Sequence, residues 1–354
     1  MRILITGGCG FVGSNLAMAL KKDFPAYSIL AFDNLKRSGS ELNINRLKNA
    51  GVIFIHGDIR NEEDFDAVGN VDIVIDAAAE PSVTAGLDGA GIKQLVNINL
   101  TGTLNVLNLA LKNKAAFIFL STSRVYPIQA VNDIQYQEEQ TRFAIANVQE
   151  LPGVSATGIS ETFPLNGYRS VYGASKLASE LLIEEYNHFF KLPTIINRCG
   201  VIAGPYQMGK VDQGVTVLWV ARHLWQKKLG YFGYGGTGKQ VRDVLHIDDL
   251  YDLIKLQVQD IAPFNGQVFN VGGGNSSSLS LQELTALCEQ VTGNRIQIDS
   301  VLDDRVADIR IYITDNSKIS STCGWLPKRS PRDIVKDICK WLKSDEKRLQ
   351  DILN

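Results

Sequence analysis

Residues 1–13 read MRILITGGCGFVG, a short apolar run followed at once by glycines in GxxGxxG spacing. Gly7, Gly10 and Gly13 lead into a helical pattern that begins near Phe11. Each glycine has a role that a Cβ would obstruct: a tight turn, close approach of the backbone to a pyrophosphate, and close packing of helix on strand. The N-terminus of such a helix presents amide donors and a positive dipole end to phosphate groups. The stretch therefore predicts a dinucleotide-binding βα unit.

The end of the next strand strengthens this prediction. Asp33 lies 20 positions after Gly13, where its carboxylate can accept both hydroxyls of an adenosine ribose and repel a 2′-phosphate. A glycine-rich turn without a ligand does not require that spacing. We therefore predict NAD rather than NADP, although Lys36 and Arg37 could hold a phosphate if they do not simply line a solvated loop.

Two further segments are candidates for contact with the cofactor. Asp58 could accept a hydrogen bond from the adenine amino group, with Ile59 on the face of the base. Asp58 could equally cap the helix that begins near Glu62, and the sequence leaves both readings open. The small residues of the run 77–79, all alanine, would let the chain pass close to the cofactor.

Alternating apolar runs and helical patterns predict the fold class, an α/β doubly wound parallel sheet (Rossmann) with a smaller mixed α/β C-terminal substrate domain. The predicted strands are residues 2–6, 28–32, 52–56, 73–77, 117–121 and 194–198. We assign residues 1–200 to an NAD-binding domain, to which 239–262 return, and residues 201–238 and 263–354 to the substrate-binding domain. Residues 127–166 are expected to be an irregular excursion near the site. Helices are expected at residues 280–292 and 331–343.

The composition excludes several classes of protein. The 354 residues contain 36 Lys and Arg against 38 Asp and Glu, so no global field attracts nucleic acid or anionic lipid. We expect neither a nucleic-acid nor a membrane partner, since no apolar run is long enough to span a bilayer. The five cysteines lack CxxC spacing, which argues against a zinc site or a disulfide framework. No metal is expected, and a cytoplasmic location fits best.

Three residues indicate the reaction class. Tyr172 and Lys176 are spaced i, i+4, so they share one face of a helix that runs to about Phe190. A lysine ammonium favours phenolate over phenol and makes a tyrosine usable as a base. Thr122, at the end of the fifth strand, can donate its hydroxyl to the same substrate oxygen. Removal of the alcohol proton would help a C–H hydride leave for nicotinamide.

These residues resemble those of the extended short-chain dehydrogenase/reductase family, the NAD-dependent epimerases and dehydratases of nucleotide sugars. More narrowly, ITGGCGF at 5–11, FDNL at 32–35, HGDIRN at 56–61, DQG at 212–214 and GKQVRDVLH at 238–246 are similar to a branch that inverts C2 of CDP-linked dideoxyhexoses. The resemblance implies a transient 2-keto sugar, NAD that takes and returns the hydride, and a homodimer or homotetramer. It also implies the site residues.

The resemblance assigns catalysis to Thr122, Tyr172 and Lys176. The cofactor would be bound by Gly7, Gly10, Phe11, Val12, Gly13, Asp33, Asn34, Asp58, Ile59, Ala77, Ala78, Ala79, Asn99, Ser121, Tyr172 and Lys176. The nucleotide-sugar substrate, with a CDP-sugar favoured, would be bound by Thr122, Ser123, Arg124, Gln207, Asp212, Gln213, Arg242 and Arg305. An arginine fork suits phosphate geometry, but Arg242 and Arg305 could each instead be part of a surface ion pair.

The chain also departs from the family pattern. Dehydratases follow the threonine with Asp-Glu, whereas this chain has Ser123 and Arg124, so a dehydration would lack its acid and base. Val201 replaces a common asparagine, and Asp76 replaces a common histidine. Two alternatives to C2 epimerisation stay open: a C4 epimerase or related oxidation-dependent enzyme acting on a UDP-, GDP- or dTDP-sugar, and a non-catalytic NAD-binding regulatory protein.

Overall fold

The computed structural model of the protein describes residues 1–86, 89–209, 214–303, 305 and 307–353. The strands are β1 Arg2–Thr6, β2 Ser28–Asp33, β3 Ile53–His56, β4 Ile73–Asp76, β5 Ala116–Thr122, β6 Tyr136–Glu138, β7 Phe143–Ile145, β8 Val154–Ser155, β9 Gly158–Ile159, β10 Thr194–Cys199, β11 Val201–Ala203, β12 Leu229–Phe232, β13 Val241–His246, β14 Gln267–Val271, β15 Ser278–Ser280, β16 Ile298–Val301 and β17 Ile311–Tyr312. The α-helices are α1 Phe11–Asp23, α2 Leu42–Asn49, α3 Ile92–Val96, α4 Thr103–Asn113, α5 Ile128–Asn132, α6 Val171–Phe190, α7 Val215–Leu224, α8 Ile247–Gln259, α9 Leu281–Thr292, α10 Ser317–Cys323, α11 Pro331–Ser344 and α12 Glu346–Leu353.

The chain folds into two compact units, each assembled from three segments. Unit 1 consists of Met1–Val125, Ser170–Arg198 and Tyr251–Phe269, and unit 2 consists of Tyr126–Arg169, Cys199–Leu250 and Asn270–Asn354. These boundaries differ from the predicted ranges, because residues 126–169 belong to unit 2 and the segment that returns to unit 1 is 251–269 rather than 239–262. The assignment of a ligand to each unit remains a prediction.

A seven-stranded parallel sheet forms the framework of the fold, with strand order β3-β2-β1-β4-β5-β10-β14. The order reverses at β1, which confirms the predicted doubly wound architecture. All six predicted strands are present, each within one residue of its predicted ends. The seventh strand, β14, was not predicted, because its residues QVFNV lie within the range 263–354 that was assigned to the second domain.

Both faces of the inner strands are covered, which explains why those strands are mainly apolar, whereas the edge strand β3 is partly exposed. In β1, Ile3, Leu4 and Ile5 are all fully buried. Successive side chains of a strand point to opposite faces. Leu4 packs in one cluster with residues of α4 and α6, including Val106 and Ile183.

The longest helix, α6, begins at a capped position and ends where predicted. The side chain of its N-cap, Ser170, accepts a hydrogen bond from the Gly173 amide. Glu180 on α6 forms a buried ion pair with Arg198 on β10, in which Arg198 Nη2 lies 2.8 Å from Glu180 Oε2. Ser121 on β5 also donates its hydroxyl to Glu180. The pair therefore fixes α6 against β5 and β10.

Unit 2 is built from smaller sheets. Its largest pairs β13 with β11, β15 and β17, and β12 pairs with β16. The segment 127–166 is more regular than predicted, since it contains α5 and the antiparallel pairs β6–β7 and β8–β9. The predicted helices near 280–292 and 331–343 are α9 and α11, and each starts with a capping box, at Ser280 and Ser330. Within the ranges that the structure describes, no helix is long and apolar enough to cross a membrane.

The buried ion pair leads to a prediction about stability. Glu180→Ala would leave the Arg198 guanidinium buried without its charge partner, which costs about 3–5 kcal/mol of unfolding free energy. Urea denaturation measures this loss. In contrast, Lys255→Ala removes the half-exposed ion pair with Asp23 and should cost less than about 1 kcal/mol. Equal losses for the two variants would contradict the structural role of Glu180.

Candidate active site

The glycine loop combines two tight backbone contacts with one open position. A Cβ on Gly13 would lie 2.2 Å from the Gly7 carbonyl oxygen, and Gly7, with φ of +60°, lies against Ala77 and Ala78. A Cβ on Gly10 would meet only the Gly7 oxygen, at 3.1 Å. Gly10 is the N-cap of α1, and no side chain caps that helix. The space at Gly10 and the first amides of α1, those of Phe11 and Val12, fit a dinucleotide pyrophosphate.

Asp33 ends β2 beside this loop, as predicted. Its Oδ2 accepts from the Cys9 amide at 3.0 Å, and its Oδ1 accepts from the Leu35 amide at 2.8 Å. Burial raises the pKa of the Asp33 carboxyl, although these backbone hydrogen bonds act to lower it. The carboxylate is thus held rigidly at the position where a ribose contact is predicted.

Asp58 does not cap a helix, so that reading is wrong. The short 3₁₀ helix Glu62–Ala67 has Asn61 at its N-cap position. The Asp58 carboxylate binds Arg60 instead, with Nη2 to Oδ2 at 2.6 Å, and also accepts from Asn34 Nδ2 at 2.9 Å. The Arg60 guanidinium holds the pKa of Asp58 well below its usual range. Contact of Asp58 with adenine remains a prediction.

The alanine run after β4 is held by β1. The amides of Ala77 and Ala78 both donate to Thr6 Oγ1, each at 3.2 Å. Ile59 is 6% exposed and lies against Gly102, where a Cβ would come within 2.5 Å of Ile59 Cδ1. Most of the Ile59 side chain therefore packs in the protein core, and its predicted contact with the adenine face is limited to a small exposed fraction.

The three predicted catalytic residues lie on two elements that contact each other. Thr122 ends β5, and its Oγ1 accepts from the Arg124 amide at 3.2 Å in the turn Ser123–Val125. Tyr172 and Lys176 lie in the first two turns of α6. Lys176 is 2% exposed, and its Nζ lies 3.7 Å from the centroid of the Phe119 ring on β5. This contact and the bond from Ser121 to Glu180 fix α6 against the strand that carries Thr122.

Asn99 has a structural role that the sequence did not reveal. It lies in one π-helical turn, Asn97–Gly102, between α3 and α4. Its Nδ2 donates to Ser175 Oγ and to the Glu80 carbonyl, both at 3.1 Å, and its Oδ1 accepts from the Glu80 amide at 2.8 Å. Asn99 thereby connects the π-turn to the catalytic helix, and direct contact with the cofactor remains a prediction.

Sequence reasoning also missed Glu180 and Arg198. The spacing does place Glu180 beside the predicted catalytic residues, because it lies four residues after Lys176 and eight after Tyr172, on one helix face. Arg198 was noted only as the end of a strand. Their pairing joins elements that are distant in sequence, so spacing alone identifies one partner and not the other.

The predicted substrate residues of unit 2 have the following surroundings. Arg242 Nη2 lies 2.9 Å from Asp308 Oδ1, so this arginine is in an ion pair, although both side chains are less than 20% exposed and the pair is not the surface pair of the alternative reading. The Arg305 guanidinium stacks on the Phe232 ring, 4.1 Å from its centroid, and the residue is exposed. Gln207 Oε1 is buried and has no hydrogen-bond partner among the residues that the structure describes, as expected of an atom that could accept from a ligand. Asp212 and Gln213 lie outside the described residues.

Comparison with known proteins agrees with this arrangement. The family model described as NAD dependent epimerase/dehydratase family matches residues 3–272. The chain belongs to this family. It is 33% identical to CDP-paratose 2-epimerase of Salmonella typhi over 97% of this chain and all of that protein.

Two solved structures extend the comparison. The UDP-glucuronic acid 4-epimerase of Bacillus cereus, in complex with UDP-glucuronic acid and NAD, is 26% identical with a TM-score of 0.79, and the match covers 97% of this chain and 99% of that one. The dTDP-glucose 4,6-dehydratase of Bacillus anthracis, in complex with NAD, is 25% identical with a TM-score of 0.78, and 99% of each chain is covered. The protein is thus an NAD-dependent enzyme of the nucleotide-sugar epimerase and dehydratase kind.

The contrast between two glycines gives a prediction about NAD binding. Gly10→Ala should destabilise the fold less than Gly13→Ala, because Gly10 has φ of −70° and its Cβ would meet only the Gly7 oxygen, at 3.1 Å, but the methyl group would occupy the pyrophosphate space. Isothermal titration should detect a loss of affinity for NAD of about tenfold or more, equal to about 1.4 kcal/mol. Gly13→Ala, whose Cβ meets backbone, should lower the melting temperature instead. Undiminished NAD affinity in Gly10→Ala would place the pyrophosphate elsewhere.

Proposed function

We propose that the protein is an epimerase that inverts C2 of a CDP-linked dideoxyhexose, converting CDP-paratose to CDP-tyvelose. The observation that carries the proposal is the site itself: a Thr122, Tyr172 and Lys176 set with no carboxylate at the two positions after the threonine. Oxidation and reduction of an alcohol need only the first three groups, whereas elimination of water needs an acid and a base in addition. The 33% identity to a CDP-paratose 2-epimerase over the full length supports the choice of substrate.

The chain's own residues would perform the proton chemistry. Tyr172, as phenolate, removes the proton of the C2 hydroxyl, and the Lys176 ammonium stabilises that phenolate. Thr122 donates a hydrogen bond to the same oxygen and holds it beside the tyrosine. NAD, when bound, supplies the group that accepts the C2 hydride and returns it. After the 2-keto sugar has turned, Tyr172 gives the proton back to the oxygen, so neither acid nor base is consumed.

Inversion requires that the nucleotide stays bound while the hexose rotates. Arg242 and Arg305 are the cations that would bind the diphosphate, since a guanidinium can make two parallel hydrogen bonds to phosphate oxygens. Arg242 is oriented by Asp308, and Arg305 by the Phe232 ring. Binding at Arg242 would therefore share or displace one existing ion pair, while Arg305 has its polar edge exposed.

A second candidate is epimerisation at C4 of a UDP-, GDP- or dTDP-sugar. The likeness to the UDP-glucuronic acid 4-epimerase structure favours it, because the same proton chemistry serves either carbon. The two candidates differ only in the nucleotide and in the carbon presented to Tyr172. A homodimer or homotetramer in the cytoplasm remains our prediction for either enzyme.

Product analysis distinguishes the two candidates. We expect CDP-paratose, incubated in deuterated water with the protein and one equivalent of NAD, to give CDP-tyvelose without deuterium at C2, as measured by proton NMR. Deuterium at C2 would indicate proton exchange at carbon and would contradict hydride return. UDP-glucose and UDP-glucuronic acid serve as controls, and turnover of these at C4 alone would establish the second candidate.

Replacement of the proposed base tests its role. Tyr172→Phe removes the phenolic hydroxyl and should lower kcat by about 10²–10⁴-fold, the usual contribution of a positioned base, while NAD still binds through the glycine loop and Asp33. The matched control is Tyr186→Phe on the same helix, whose hydroxyl donates to Asn108 Oδ1 and should not affect turnover. Equal activity of the two variants would remove Tyr172 from the mechanism.

A further inference from the structure

Asp76 is a buried carboxyl group that the proposed mechanism does not use. It is the last residue of β4, is fully buried, and pairs in register with Thr6 on β1 and Phe119 on β5. Its Oδ1 accepts from Thr6 Oγ1 at 2.5 Å, and its Oδ2 accepts from Thr103 Oγ1 at 3.1 Å. A carboxylate is costly to bury unless hydrogen bonds and a nearby cation compensate for lost hydration.

The hydrogen bonds of Thr6 indicate the charge of this group. Thr6 Oγ1 receives the amides of Ala77 and Ala78, so both of its lone pairs are occupied. Its single proton is therefore directed to Asp76 Oδ1, which cannot itself carry a proton there. Burial raises the pKa of Asp76, and the charge of Lys176, followed by the hydroxyls of Thr6 and Thr103, acts to lower it. Burial thus favours the neutral acid, while the Thr6 hydroxyl and the charge of Lys176 favour the carboxylate.

Lys176 is the cation that is placed to compensate for the charge of the Asp76 carboxylate. Its Nζ lies over the ring of Phe119, the residue that is in register with Asp76 on the neighbouring strand. On α6, the ionisable side chains one turn before and after Lys176 are Tyr172 and Glu180, and Glu180 is bound by Arg198 of β10. β5 and the π-turn contribute no ionisable side chain, and the charge of Lys176 acts on the Asp76 carboxyl, which strand register places beside Phe119.

We propose that Asp76 is the buried counter-ion of Lys176 and a positioning residue of the active site, acting on Tyr172 through that lysine. The inference rests on the proposed roles of Tyr172 and Lys176. A fixed anion behind the ammonium offsets part of its field at the phenol, so the strength of Tyr172 as a base is set by both charges. The same carboxylate also joins β1, β4 and α4 directly beneath the glycine loop.

The experiment follows the phenol of Tyr172 without any substrate. The NAD-bound protein is labelled with ¹³Cζ-tyrosine, and Tyr172→Phe identifies the resonance of Tyr172. Asp76→Asn keeps the shape and can still bind both threonines, but removes the charge. Lys176 would then act on the phenol without compensation, so the titration midpoint of Tyr172 should fall by about one pH unit. Asp243→Asn is the matched control, because it removes a fully buried carboxylate that accepts from the Gly274 amide, and should leave the midpoint unchanged.

Each outcome decides the proposal. A fall of the midpoint in Asp76→Asn but not in Asp243→Asn supports it, while an unmoved or raised midpoint overturns it and leaves a purely structural role for Asp76. If Asp76→Asn does not fold, Asp76→His replaces it, since histidine is the residue of the family pattern at this position. Above its own pKa the histidine is neutral, so this variant also removes the negative charge.

Wild-type Tyr172 that fails to titrate below about pH 10 would refute its role as base, and hence the proposed function and this inference together. Absence of turnover of CDP-paratose would leave the counter-ion test intact.

Discussion

The contact between Gly13 and the carbonyl oxygen of Gly7 is the constraint on which the site depends. Because neither residue has a Cβ, α1 can begin directly at the end of β1 with its N-terminal amides uncovered. Gly8 packs against Ala31 of β2, and Gly7 packs against the alanine run that follows β4. Three strand ends therefore converge on one loop, and side chains at those ends, Thr6, Asp33 and Asp76, are the ones that bind the loop or its neighbours.

Much of the fold could be predicted because its signals are local. The inner strands β1, β2, β4 and β5 are mainly apolar and buried on both faces, and runs of this kind have clear ends. The edge strand β3 is only partly buried, but its short apolar run is still recognisable. The glycine spacing and Asp33 encode a cofactor loop within about thirty residues, and Tyr172 and Lys176 lie within two turns of one helix. In each case the physical requirement acts on residues that are close in sequence, so spacing alone reveals it.

The remaining features depend on residues that are distant in sequence. The strand β14 lies at the sheet edge and begins some 70 positions after its partner β10. The sequence of β14 does not show with which strand it pairs. The sequence allows Asp58 to be a helix cap, but in the structure its carboxylate binds Arg60 and Asn34 instead of helix amides. Asp76 differs from the family pattern, and only the positions of Thr6, Thr103 and Lys176 give the substitution a physical reason. The regular elements of 127–166 are too short to leave a periodic signal.

The interleaving of the two units has a consequence for synthesis of the chain. Unit 1 uses Tyr251–Phe269, so its framework cannot be completed until about three quarters of the protein has left the ribosome. Until then β10 is an open sheet edge with unpaired amides and carbonyls, the kind of surface on which other chains can add a strand. The nascent protein therefore passes through a stage at which aggregation competes with folding, and neither unit can be expressed as a single continuous fragment of this chain.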